Sequence, residues 1–189
     1  MTPLDPDEQL FRLASDDQRS YDDARRRFLS QGPAIAAALV KGLDDKRLGD
    51  VGHWRILLLL RELRVPSTLP AVLKAFRAAL ASRNWIVLPG ALEALAAFDS
   101  DDALHALIAA LDSGDADTVN HAAALLGDKK SKRAEDALVA LLTRDDAAFR
   151  QSGARALLKI DSDSARNVLE QHRAKEKDPG VLKLLENTK

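Results

Sequence analysis

The chain contains no cysteine, which removes disulfides, thiolate catalysis and cysteine-ligated metals from consideration and is the usage expected of a cytoplasmic protein. Aromatic residues are only 4% of its 189 residues, although hydrophobic residues are 46%, so the core must be built from Leu and Ala. Both favour helix, and Ala lets helices approach closely. There is no apolar run long enough to span a membrane. The most hydrophobic stretch, Ile56 to Leu60, is flanked by Arg55 and Arg61. The first eight residues are acidic and lack the apolar stretch of a secretory signal. Neither sign of charge dominates, with 28 basic and 29 acidic residues, so a general nucleic-acid binder is not expected. Glycine is scattered and forms no phosphate-binding loop.

What is present is a repeat. Ala94, Leu95, Asp99, Ser100, Asp101 and Ala103 recur as Ala156, Leu157, Asp161, Ser162, Asp163 and Ala165, an offset of 62 residues, or two periods of 31. His121 to Gly127 fills the intermediate period. Within each period the apolar residues recur at i, i+3, i+4 and i+7, one face of a helix and never the alternation of a strand. Gly32-Pro33 and Pro66-Ser67 mark helix boundaries. The clusters Asp99-Ser100-Asp101 and Asp161-Ser162-Asp163 supply acceptors for the free N–H groups of a helix start, as do Asn84, Asp115 and Asp146. This capping role is preferred over a calcium site, which needs a longer loop with ligands at fixed positions. Helix pairs are predicted near 16–43, 49–81, 84–112, 116–143 and 147–175, with Pro89 kinking its helix. The organisation is a segment 1–15 with a short helix, a repeat array over 16–175, and a capping helix in 176–189. Leu95, Leu125 and Leu157 are expected at equivalent or nearly equivalent buried positions.

The run Asp145 to Leu157 resembles the first helix of a HEAT repeat, with its Asp, its apolar–Arg pair Phe149-Arg150 and its core Ala154 and Leu157. The short period is closest to the HEAT-like repeats of phycobilisome lyases. The resemblance covers roughly residues 20–175 and implies an all-α fold, a right-handed α-solenoid of about five HEAT-like helix pairs. Asn120 and the Val87-Leu88-Pro89 stretch depart from the pattern, so the inter-repeat Asp–Arg ladder typical of the family is incomplete.

No residue set reads as catalytic. His53, His105, His121 and His172 fall in different repeats, and there is no His-Glu dipeptide of the kind used by HEAT-type metal enzymes resembling deoxyhypusine hydroxylase. No metal or cofactor is expected. HEAT-like DNA glycosylases need a basic concave face with aromatics and a catalytic acid, and that set is missing. Arg25-Arg26-Arg27 points in three directions about 100° apart. The basic turn Lys129 to Arg133 is hemmed by Asp128, Glu135 and Asp136. The reading that remains is a non-enzymatic protein-interaction module or assembly adaptor. Its partner is another protein, docked on the concave second-helix ridge of Lys74, Arg77, His105, Glu135, Arg166 and Glu170, or anchored by Trp85 at a turn. The alternatives are an accessory factor for pigment or cofactor attachment of the phycobilisome-lyase type, or a HEAT-like DNA-binding protein.

Overall fold

A computed structural model describes residues 6–186, and among them every regular element is helical. The elements are α1 (Pro6–Leu13), α2 (Gln18–Gln31), α3 (Ala36–Asp44), α4 (Gly49–Leu63), α5 (Leu69–Ser82), α6 (Val87–Ala96), α7 (Asp101–Ala110), α8 (Ala116–Asp128), α9 (Glu135–Leu141), α10 (Ala147–Ile160), α11 (Asp163–Arg173) and α12 (Pro179–Leu185). Helices α2 to α11 form five successive pairs, as the repeat predicts. The fold class is that of an α-solenoid. Contacts gather into two compact lobes, Met1–Ala103 and Leu104–Lys189, the division falling within α7.

Local chemistry sets the helix starts. Asp17, Asp115, Asp146 and Asp178 accept from Ser20, Thr118, Ala148 and Val181 N–H groups. In each Asp-Ser-Asp cluster the serine is the cap: Ser100 Oγ accepts from Ala103 N at 3.1 Å and Ser162 Oγ from Ala165 N at 2.9 Å. Asn84 Oδ1 accepts from both Ile86 and Val87 N–H at 3.1 Å. Pro89 therefore does not kink a longer helix. Because α6 begins at Val87, Pro89 lies in its first turn, where a missing N–H leaves no helical bond unmade.

In the N-terminal lobe α4 is the central helix, packed on α1, α2, α3 and α6. Ile56, Leu57, Leu59 and Leu60 are fully or almost fully buried. Gly90 lets α6 close onto α4: a Cβ there would stand 2.6 Å from Trp54 Cδ1. Trp54 is half-buried against that glycine instead of being enclosed in the core.

In the C-terminal lobe α10 has the central place, against α8, α9, α11 and α12. Leu157 is fully buried, like Leu95 in the other lobe. Leu125 is not their counterpart: it is half-buried, and Leu126 is the fully buried residue. Leu126 stands 31 residues from both Leu95 and Leu157, so the repeat period itself points to it. The contact of Gly127 with α10, where a Cβ would come 3.0 Å from Ala156 Cα, goes with that rotation of α8.

Gly153 makes the tightest approach to backbone in this lobe. A Cβ there would lie 2.7 Å from the Leu138 carbonyl oxygen and 2.9 Å from Leu141 Cβ. Gly153→Val is expected to force α9 from α10 and to lower stability by about 1–3 kcal/mol, measured as a fall in the urea midpoint. An unchanged midpoint would show that the helices yield freely there.

Candidate protein-interaction surfaces

Successive helix pairs are held in register by ion pairs that sequence reading missed. On the first helices, Arg25 makes a two-oxygen contact with Glu62 at 2.7 and 2.8 Å, linking α2 to α4. Arg61 pairs with Glu93, linking α4 to α6, and Lys159 reaches Asp128 at 2.6 Å, linking α10 to α8. Each acid or base stands 31 to 37 residues from its partner. The signal was therefore present in the repeat period. These pairs are largely solvent-accessible, and each contributes only about 0–1 kcal/mol.

The predicted ridge residues divide into engaged and unengaged groups. In the N-terminal lobe Lys74 and Arg77 are neighbours on the exposed face of α5. Lys74 is already bonded to Asp44 of α3 at 2.7 Å, whereas Arg77 makes no ion pair among the described residues. In the C-terminal lobe His105 is exposed on α7. Glu135, at the start of α9, is half-buried, and its Oε1 is shielded from solvent with no hydrogen bond among the described residues. Arg166 folds back on its own helix start, donating to Asp161 at 2.6 Å and pairing with Asp163. The Asp161 contact comes first in holding this guanidinium more firmly protonated. Glu170 is exposed one turn further along α11.

Trp85 is placed differently. It lies in the tight connection between α5 and α6 and is 50% exposed, beside Ile86 at 49%. The reason is local: the Asn84 cap turns the chain so that Val87 and Leu88 enter the core and the two preceding residues stay outside. Asn84 Nδ2 also donates to Asp50 Oδ1 at 2.8 Å, setting the first turn of α4, with exposed Val51, beside this connection. The next turn back carries Arg47, whose guanidinium lies 5.0 Å over the ring of exposed Phe11. Arg47 donates to Asp45 from its side chain and its backbone, which holds that carboxyl down to about 2. Phe11, Val51, Trp85 and Ile86 are the exposed large hydrophobic residues among those described, and all belong to the N-terminal lobe.

The histidines do not assemble. His53 Nε2 meets the Asp45 carbonyl at 3.0 Å, and His172 Nε2 meets Glu176 at 2.8 Å. Among the described residues no group of three or more His, Asp or Glu is placed to hold a metal ion, and no helix is long and apolar enough to cross a membrane.

A helical array without strands among its described residues, with repeat-period ion pairs and short capped connections, has the fold of an α-solenoid. Residues 107–187 match the family model for HEAT repeats. No curated protein matches the chain. Two solved structures are similar in fold. One is a designed armadillo repeat protein in complex with the peptide (KR)4, at 19% identity and TM-score 0.58, with 97% of each chain covered. The other is an engineered protein at 22% identity and TM-score 0.54, with 98% of this chain and 95% of that one covered. Human deoxyhypusine hydroxylase aligns at 14% identity over 97% of this chain and 94% of its own, but the TM-score of 0.48 is too low for any argument.

Proposed function

We propose that the protein is a non-enzymatic interaction module that docks a partner protein on the edge formed by Trp85 and Ile86. The observation that carries this is a tryptophan half-exposed beside an equally exposed isoleucine, on a connection whose geometry is pinned by Asn84. A tryptophan held on a rigid element is a frequent hot spot, because it buries a large area and has little entropy to lose. Exposed Val51 follows Asp50, which the Asn84 side chain ties to this connection. Around it Asp45 and Asp50 are bonded internally, whereas Lys46 and Arg83 are exposed and carry no ion pair among the described residues. The complementary partner is therefore an apolar surface rimmed by acidic residues.

The second-helix ridge is the weaker candidate, since Lys74 and Arg166 would have to trade existing bonds for a partner's. Trp85→Ala is expected to leave folding stability within about 0.5 kcal/mol. It should weaken the partner by about 2 kcal/mol or more, roughly 30-fold in affinity. Affinity purification with mass spectrometry, followed by titration of the recovered partner, checks this. Equal affinity for wild type and Trp85→Ala would overturn the Trp85 edge, and loss on Arg77→Glu would then move the site to the ridge. A chromophore co-purifying with the native protein would favour the pigment-attachment alternative.

A further inference from the structure

A second feature lies in the C-terminal lobe, on residues unrelated to the Trp85 edge. Facing sides of α7 and α9 leave a cleft of about 130 Å³. Its floor is aliphatic, formed by Ile108, Leu111, Ala137 and Leu141, and Ala140 stands exposed at its rim. Asp112 and Arg144 also line it.

These two residues lie just beyond the C-terminal ends of α7 and α9, yet they do not bridge. Neither forms an ion pair with any described residue. The contrast is the α3–α5 contact in the other lobe, which Lys74 and Asp44 span at 2.7 Å. Arg144 is held another way: its guanidinium lies 4.4 Å over the ring of Phe149, and its carbonyl accepts from Arg150 at 3.0 Å. The helix-end carbonyls nearby are already used, Ala109 by Asp112 N, Ala140 by Thr143 N and Leu141 by Arg144 N. The polar groups left on offer are thus one carboxylate and one guanidinium, beside an apolar floor.

That combination selects a ligand class. A carboxylate only accepts hydrogen bonds and a guanidinium only donates them. The complementary ligand must present a donor and an acceptor next to an aliphatic group. An extended peptide does so at every residue, through its N–H, its C=O and its side chain. The volume sets the scale of the side chain: an aliphatic cavity of roughly 150 Å³ holds one benzene, so this cleft is of a size for a leucine-sized group. We infer that the α7–α9 cleft is a subsite for an extended peptide segment, seating one leucine-sized aliphatic side chain with adjacent peptide groups bonded to Asp112 and Arg144.

The test uses the full chain labelled with nitrogen-15 and blocked pentapeptides Ac-Gly-Gly-X-Gly-Gly-NH2, with Leu, Ala or Lys at X. The Leu peptide is expected to give saturable shifts confined to amides around Ile108, Asp112, Ala140 and Arg144. The Ala peptide should bind about tenfold more weakly or less, having lost most of the buried aliphatic group. Ala140→Phe, at an exposed rim position, should block the cleft and abolish the shifts, and Asp112→Asn should weaken them severalfold, both with the remaining spectrum unchanged. Trp85→Ala should leave the titration as it was, so this inference and the Trp85 edge can fail separately. No saturable shift with the Leu peptide, equal binding of the Leu and Ala peptides, tighter binding of the Lys peptide, or shifts that survive Ala140→Phe would each overturn the assignment.

Discussion

Replacing Arg150 with alanine is expected to destabilise the C-terminal lobe by about 3–5 kcal/mol, because it leaves a buried carboxylate without its cation. That carboxylate is Glu176, whose side chain is only 2% exposed. Arg150 Nε and Nη2 donate to its two oxygens at 2.8 and 2.9 Å, the backbone N–H groups of Lys177 and Asp178 donate at 2.8 Å, and His172 Nε2 lies 2.8 Å away. The network ties α10 to the chain that leads from α11 into α12. The Arg150 side chain comes first in holding Glu176 well below the usual carboxylate range, with the two N–H groups and His172 assisting against desolvation.

The pH dependence follows from that direction. A carboxyl that is more acidic folded than unfolded contributes its full stabilisation above its unfolded value, about 4.5, and progressively loses it as pH falls toward the folded value. Urea unfolding of the wild type should therefore lose stability steadily below pH 4.5. Glu176→Gln, already destabilised at pH 7, should lose less over the same range. Arg150→Met with Glu176→Leu removes both charges together and should cost far less than Arg150→Ala alone. An Arg150→Ala variant with an unchanged urea midpoint at pH 7 would show that the pair is not buried in solution.

Leu126→Ala is expected to cost about 2–5 kcal/mol, through lost transfer energy and the cavity it leaves. Leu125→Ala should cost much less, because that side chain is only half-buried. The comparison tests the rotation of α8 directly, and the melting temperatures of the two variants decide it. Equal losses would mean that both leucines share the core. Leu95→Ala in the other lobe should behave like Leu126→Ala, since Leu95 is fully buried.

Much of this molecule was legible from its residues because its elements are set locally. Each helix start depends on a side chain within three residues of the N–H it caps, as with Asp115 and Thr118 or Ser162 and Ala165. Each apolar face depends on a spacing of three and four. The succession of helices, with the short α1 and α12 at its two ends, follows from such short-range patterns. The exposure of Trp85 also goes with its place at the opening of a helix pair.

Tertiary structure decided whatever depends on the rotation of a helix or on the reach of a long side chain. Periodicity says which face of α8 is apolar, but Leu125 and Leu126 are adjacent and both fit that face. The close approach of Gly127 to Ala156 goes with the choice between them. Likewise Lys74, Arg166 and Glu135 read alike in sequence, as polar positions on second helices. Packing sends Lys74 to Asp44, turns Arg166 back onto Asp161 and half-buries Glu135. The buried Glu176 network and the Asp112–Arg144 cleft had no signal in the sequence, because each joins residues from separate segments. Local hydrogen bonds and helical spacing belong to a few consecutive residues, so the chain determines them on its own. Burial of a carboxylate, or a cleft between two helices, exists only once distant segments have been brought together.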